Sequence, residues 1–179
     1  MKLTTGVPLI LRLVLGGLLV LSGSMKLGVY KHLGITALAM DPLDFAFALG
    51  GFKLGLPEML TQVLTYAVPW GELLCGLLLV AGLWTRGAAI GVIVLMLAFA
   101  AGIASLMVRG IDVNCPCFGK LKLFCGDRPL GWCHLIRNTG FALMGVAIVV
   151  MGPGMAAVDL MLGRRAVPGS ARRSGEPTL

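Results

Sequence analysis

Charge is scarce in this sequence. Only 13% of its 179 residues are Asp, Glu, Lys or Arg, against about a quarter in soluble domains. Hydrophobic residues already make up 58% before the 26 glycines are added, whereas soluble domains hold about 45–50% with glycine included. A compact water-soluble fold cannot hide that much apolar surface, so a soluble enzyme is excluded. The same excess excludes disorder except at the ends, because disorder requires low hydrophobicity and high charge. Ten-residue alternating segments, the mark of a membrane β-barrel, are missing. The first apolar run is not followed by a cleavage site of the A-x-A type, so it reads as a retained signal-anchor helix rather than a removed leader. The formal charge of +7 is scattered over short loops and a tail. It reads as lipid-headgroup and topology charge, not as a nucleic-acid footprint.

Long apolar runs are what the chain does have. A bilayer core of about 30 Å is crossed by about 20 apolar residues in a helix. Four stretches meet that length, at about 7–27, 63–84, 87–108 and 132–151. Backbone polar groups in lipid must be paired internally, so these are helices. The predicted fold is all-α: a four-transmembrane-helix bundle over residues 1–155, followed by a basic, disordered tail over 156–179. Between the first two spans, Asp41-Pro42-Leu43-Asp44 reads as a helix start and Gly50-Gly51 as its end, which predicts an interfacial helix in the first outer loop. Pro57 opens the next helix and Pro69 should kink it. Thr85-Arg86 makes a tight hairpin between spans two and three. Gly87 and Gly91 form a GxxxG, permissive of close helix contact.

Four spans place both termini and the 85–86 turn on one side. Lys2, Arg86, Arg164, Arg165, Arg172 and Arg173 lie there; Lys31, Lys53, Arg109, Lys120, Lys122 and Arg128 lie opposite. That is an even split, so the positive-inside rule does not decide. The arginine cluster of the tail, and disulfide-permissive chemistry for the cysteines on the far side, predict an inner-membrane protein with both termini cytoplasmic and the cysteine loop extracytoplasmic.

That second outer loop is cysteine-rich. Cys115, Cys117, Cys125 and Cys133-His134 follow the spacing C-x-C-x7-C-x7-C-H, while Cys75 is alone inside span two. Three readings compete. In the first, the sulfurs are catalytic. Thiol–disulfide exchange needs an accessible pair and a resolving partner. Cys115 and Cys117, with Pro116 fixing the backbone between them, would be the working pair, and Cys125 and Cys133 a second one. Lys120, Lys122 and Arg128 would favour thiolates. In the second, Cys115, Cys117, Cys125, Cys133 and His134 bind Zn(II) or Cu(I), although the paired C-x2-C knuckles of ordinary zinc sites are absent. In the third, static disulfides staple the loop of a non-catalytic assembly subunit. Four cysteines allow three pairings, and spacing does not choose among them. Cys75 reads as a small buried hydrophobe, His134 as an interfacial ring, and His32 as solvent-facing.

Charges inside spans are costly and are usually paired or functional. Lys26, Glu72 and Arg137, with Asn138, fall on the cysteine-loop side. They predict either a buried tie, Glu72 with Lys26 or with Arg137, or a polar lining for a lipid-soluble electron acceptor beneath the loop. Arg12 reads as a snorkelling side chain on the opposite side.

Several of these segments resemble a known family. Arg12-Leu13-Val14-Leu15-Gly16-Gly17 with Gly23-Ser24-Met25-Lys26-Leu27 is similar to the first helix of DoxX proteins. Pro69 through Leu79 followed by Gly82-Leu83-Trp84-Thr85-Arg86 is similar to their second helix. Cys115-Pro116-Cys117-Phe118-Gly119 and Arg137-Asn138 resemble the methylamine-utilisation, MauE-like branch. The resemblance covers roughly residues 7–151. It implies a four-helix redox-associated membrane protein that handles disulfides in periplasmic partners, with a thioredoxin-like companion, in the maturation of a periplasmic dehydrogenase of methylamine metabolism. Other family members imply a quinone as electron acceptor. Related quinone-linked disulfide-forming proteins use C-x-x-C, and this chain has C-x-C instead.

Overall fold

The computed structural model describes residues 3–35, 42–51, 57–111 and 131–152, with residues 125 and 154. Cys115, Cys117, the Asp41 cap and the tail lie outside the described residues. Within them are helices α1 (Leu3–Lys26), α2 (Val29–His32), α3 (Pro42–Gly51), α4 (Glu58–Ala81), α5 (Thr85–Val108) and α6 (Trp132–Met151), and no strand. α1, α4, α5 and α6 are long and apolar enough to cross a bilayer. The protein is therefore an integral membrane protein with an all-α fold.

In lipid the hydrophobic effect does not drive helices together, so close packing, helped by small residues, and interhelical hydrogen bonds take its place. α1 lies along α4, α5 lies along α6, α4 and α5 form a hairpin, and α1 also touches α6. The α1–α4 seam is set by glycines. An ideal Cβ on Gly76 would stand 2.8 Å from the Gly16 carbonyl oxygen and 2.8 Å from the Val20 amide nitrogen. Further along, a Cβ on Gly23 would stand 2.8 Å from the Pro69 carbonyl oxygen. The expected Gly87/Gly91 pair plays a smaller part. Gly91 faces the Cys75 sulfur, where a Cβ would come within 2.9 Å, but nothing lies within 4 Å of the Cβ position at Gly87. Pro69 lies inside α4 without ending it.

The α4–α5 hairpin turns earlier than 85–86. Gly82 adopts φ 71°, and the amides of Gly82 and Leu83 both return to the Leu78 carbonyl, a glycine helix stop. Leu83 and Trp84 prolong the apolar run but belong to the turn, so hydropathy alone carried the span past its real end. α3 matches its expected limits. It packs against α4, burying Phe45 at 2% exposure while Phe47 is 78% exposed.

Arg12 corrects the expectation of snorkelling, for it is 1% exposed. The buried side chains of α1 include Pro8, Arg12, Leu15, Leu19, Ser22 and Lys26. These recur at three- and four-residue spacing, so Arg12 belongs to the stripe that the bundle covers. The main core consists of Leu15, Leu19, Leu79, Ala88, Ala89, Val92, Met96, Phe141, Ala142 and Ile148.

Candidate functional site

The end of the bundle that carries the cysteine loop is formed by the last turn of α1 and the first turns of α6, with Glu72 of α4 reaching the same region. Ser22 and Lys26 are four apart on α1, hence stacked on one face. Glu72 belongs to the buried stripe of α4, with Thr65, Pro69, Gly76 and Leu79. Close passage of α1 over α4 brings these side chains together. The Lys26 ammonium donates to both Glu72 carboxylate oxygens, at 2.7 Å each, and the Ser22 hydroxyl donates to Oε2 at 3.0 Å. Lys26 and Glu72 are each 2% exposed. Of the two ties open on sequence grounds, the Lys26–Glu72 pair is the one formed.

Two aromatic rings complete the setting of the ammonium. Lys26 Nζ lies 5.2 Å from the centroid of Phe45, on α3, and 5.4 Å from that of Phe99, on α5. Both are within cation–π range. The sequence reading missed Ser22, Phe45 and Phe99. Ser22 was recoverable as the residue one turn before Lys26. The rings were not, because they come from distant segments.

Lys26, Glu72 and Arg137 do converge. With Ser22, Asn138 and Phe141 they line a small cavity of about 20 Å³, the rest of whose wall is apolar. That is room on the order of one water molecule, far less than a quinone ring occupies. The larger space lies on the other side of Arg137 and Phe141. There a groove of about 460 Å³ is also lined by Cys125, Cys133, Ile136, Gly140 and Met144.

Cys125 and Cys133 are joined by a disulfide with Cα atoms 5.9 Å apart, within the usual span of such bridges. Cys125 is 6% exposed. Cys133 is the second residue of α6, so the bridge ties the loop to the mouth of the bundle. His134, expected as an interfacial ring, lies in the first turn of α6 and is buried against the rest of the protein. It is 4% exposed, and its Nδ1 has no hydrogen-bond partner among the described residues. His32 is exposed as expected. Cys75, the free thiol among the described cysteines, packs half-buried against the main core. No group of three or more His, Cys, Asp or Glu among the described residues is placed to hold a metal ion. The metal reading also needs Cys125 and Cys133 as thiolates, whereas here their sulfurs are bonded to each other.

The family model for methylamine utilisation protein MauE matches residues 4–151. The chain belongs to the MauE family. The match runs from the first residues of α1 to the end of α6, so the whole MauE-type bundle includes the Lys26–Glu72 pair, the disulfide and the undescribed Cys115–Cys117 segment. No curated protein and no solved structure matches the chain.

Proposed function

We propose that this MauE-family protein is a membrane thiol–disulfide redox protein that exchanges electrons with an extracytoplasmic thiol partner. The carrying observation is the Cys125–Cys133 disulfide, anchored to the first turn of a spanning helix and bordering an open groove. A disulfide that served only to staple a loop would not need that setting. The exchange requires no outside reagent. A Cys115 or Cys117 thiolate attacks the Cys125–Cys133 bond and forms a mixed disulfide. The second thiolate of that pair then displaces the remaining sulfur. One disulfide has closed, one has opened, and two electrons have moved between the pairs. The Cys115–Cys117 disulfide then takes electrons from the partner's dithiol by the same steps.

The partner is a periplasmic thioredoxin-like or disulfide-containing protein, and the task is maturation of a periplasmic dehydrogenase of the methylamine-utilisation type. This reading sets the protein in the inner membrane with both termini cytoplasmic. The disulfide supports an extracytoplasmic loop, and the tail arginines support a cytoplasmic tail. Kinship with the wider DoxX group, suggested by the α1 and α4 motifs, fits the same role.

Cysteine variants test it in native membranes. In Cys117→Ser and Cys115→Ser, one of the two is expected to accumulate a mixed disulfide with a periplasmic protein, released by reductant and visible by thiol alkylation and mass spectrometry. In the unmodified protein, Cys125 and Cys133 are expected to become alkylatable when the partner is supplied reduced. If no partner is trapped in either variant, and Cys125–Cys133 stays closed whatever the partner's state, the bridge is a staple and the redox reading fails.

A further inference from the structure

The two sulfurs of the Cys125–Cys133 bridge are not equivalent. Cys125 is 6% exposed, whereas Cys133 is partly open. Cys133 is also the second residue of α6, whose N-cap, Gly131, offers no side chain to the first-turn amides. Those amides carry the partial positive charge of the helix N-terminus. Arg137 follows four residues later and so stands over the same face of the helix. Both sulfurs and Arg137 border one groove, and Arg137 is the charged residue of its described lining. A guanidinium does not lose its proton in a protein, so this positive charge is permanent. His134, next to Cys133 in sequence, is not on the groove wall; it belongs with Asn138 to the buried stripe of α6. Thiol–disulfide exchange turns on these two properties. Access decides which sulfur the incoming thiolate attacks, and the other sulfur leaves faster the better its negative charge is held.

We propose that exchange enters the bridge through Cys133, that Cys125 is the resolving sulfur, and that Arg137 is a positioning residue that meets the negative charge passing between them. The inference rests on the redox reading above and assigns roles within it. The steps balance. A Cys115 or Cys117 thiolate attacks the Cys133 sulfur. A new S–S bond forms as the Cys125–Cys133 bond breaks, and Cys125 leaves as a thiolate that takes a proton from water. The second thiolate of the entering pair then attacks the sulfur joined to Cys133, and Cys133 leaves as a thiolate in turn. Two electrons have passed to Cys125 and Cys133, and the entering pair is oxidised. The charge rests first on Cys125 and then on Cys133, and Arg137 shares the groove wall with both. In the reverse direction Cys133 is the attacking thiolate, and Cys125 closes the bridge behind it.

The test uses the full-length protein in native membranes, with Cys115→Ser and Cys117→Ser so that no neighbouring thiol resolves the adduct. The probe is 2-mercaptoethanol, an uncharged thiol that Arg137 does not attract. The reaction is stopped with acid before reduction is complete, free thiols are alkylated, and mass spectrometry locates the adduct. Mercaptoethanol is expected on Cys133 in excess over Cys125 by about tenfold or more, a barrier difference of about 1.4 kcal/mol. Arg137→Gln is expected to slow the addition by about tenfold, and Arg137→Lys, which keeps the charge, to restore most of the rate. An adduct chiefly on Cys125, or shared evenly, overturns entry through Cys133. Equal slowing in Arg137→Gln and Arg137→Lys overturns the role of Arg137, because charge alone does not mend a structural loss. No adduct on either sulfur overturns the whole inference, since the bridge is then sealed. The partner trapping described above tests the redox reading separately. If a partner is trapped there while mercaptoethanol adds to Cys125, only this inference falls. If the adduct forms on Cys133 while no partner is ever trapped, the partner exchange falls and entry through Cys133 stands.

Discussion

Lys26→Ala is expected to destabilise the bundle by about 3–5 kcal/mol, the usual cost of removing one member of a buried ion pair. The reason lies in what remains. Glu72 is 2% exposed and would keep only the Ser22 hydroxyl, donated at 3.0 Å. An isolated carboxylate in that setting is far costlier than the pair it replaces. Glu72→Gln is expected to cost a similar amount, because it strands the ammonium between two rings. Replacing both together, as Lys26→Met with Glu72→Leu, should recover most of the loss, since well-packed apolar residues often substitute for buried pairs at little cost. Ser22→Ala should cost about 1.5–3 kcal/mol, the worth of a hydrogen bond to a charged group. Denaturation in mixed detergent–SDS micelles measures all four. A Lys26→Ala variant as stable as wild type would show that the pair is incidental to the fold. The same variant reports on α3, because Phe45 rests against the ammonium. Amide exchange over 42–51 should accelerate when Lys26 is lost, while exchange in the lower half of α5 should not change.

How far the sequence led depends on which physics was at stake. The spans were legible because lipid leaves the backbone no alternative to a continuous helix. α3 was legible because Pro42 opens it and Gly50-Gly51 closes it. The charges at Lys26, Glu72 and Arg137 announced themselves because each is expensive in a membrane. Their partners were not legible. Choosing Lys26 over Arg137 for Glu72 depends on how closely α1 approaches α4, which Gly16, Gly23 and Gly76 decide together. No single glycine stands out among 26, so the better-spaced Gly87/Gly91 attracted the expectation. Arg12 was misread because charge suggested exposure, whereas its place on the stripe through Leu15 and Leu19 made it interior. The cysteine pairing was open because spacing in a loop does not fix geometry. The bridge formed joins Cys125 to Cys133, in the first turn of α6.

The second large effect falls on the α1–α4 seam. Gly76→Ala is expected to destabilise the bundle by about 1–3 kcal/mol, as overpacking does, and Gly76→Leu to prevent accumulation of folded protein. The new Cβ would stand 2.8 Å from both the Gly16 carbonyl oxygen and the Val20 amide nitrogen. Both are backbone atoms, so no rotamer change relieves the contact and the helices must separate. Gly17→Ala is the control. Nothing lies within 4 Å of its Cβ position, and alanine is the better helix former by about 0.5–1 kcal/mol, so stability should hold or rise. The separation carries a further consequence, because Glu72 lies one turn from Gly76 on the same buried stripe. Pushing α4 away there lengthens the contacts with Lys26 and Ser22, so Gly76→Ala and Lys26→Ala should be less than additive when combined, as mutations in contacting elements are. Strict additivity in the same SDS titration would mean that the glycine seam and the ion pair act independently. The packing of α1 on α4 would then not be what holds the charges in place.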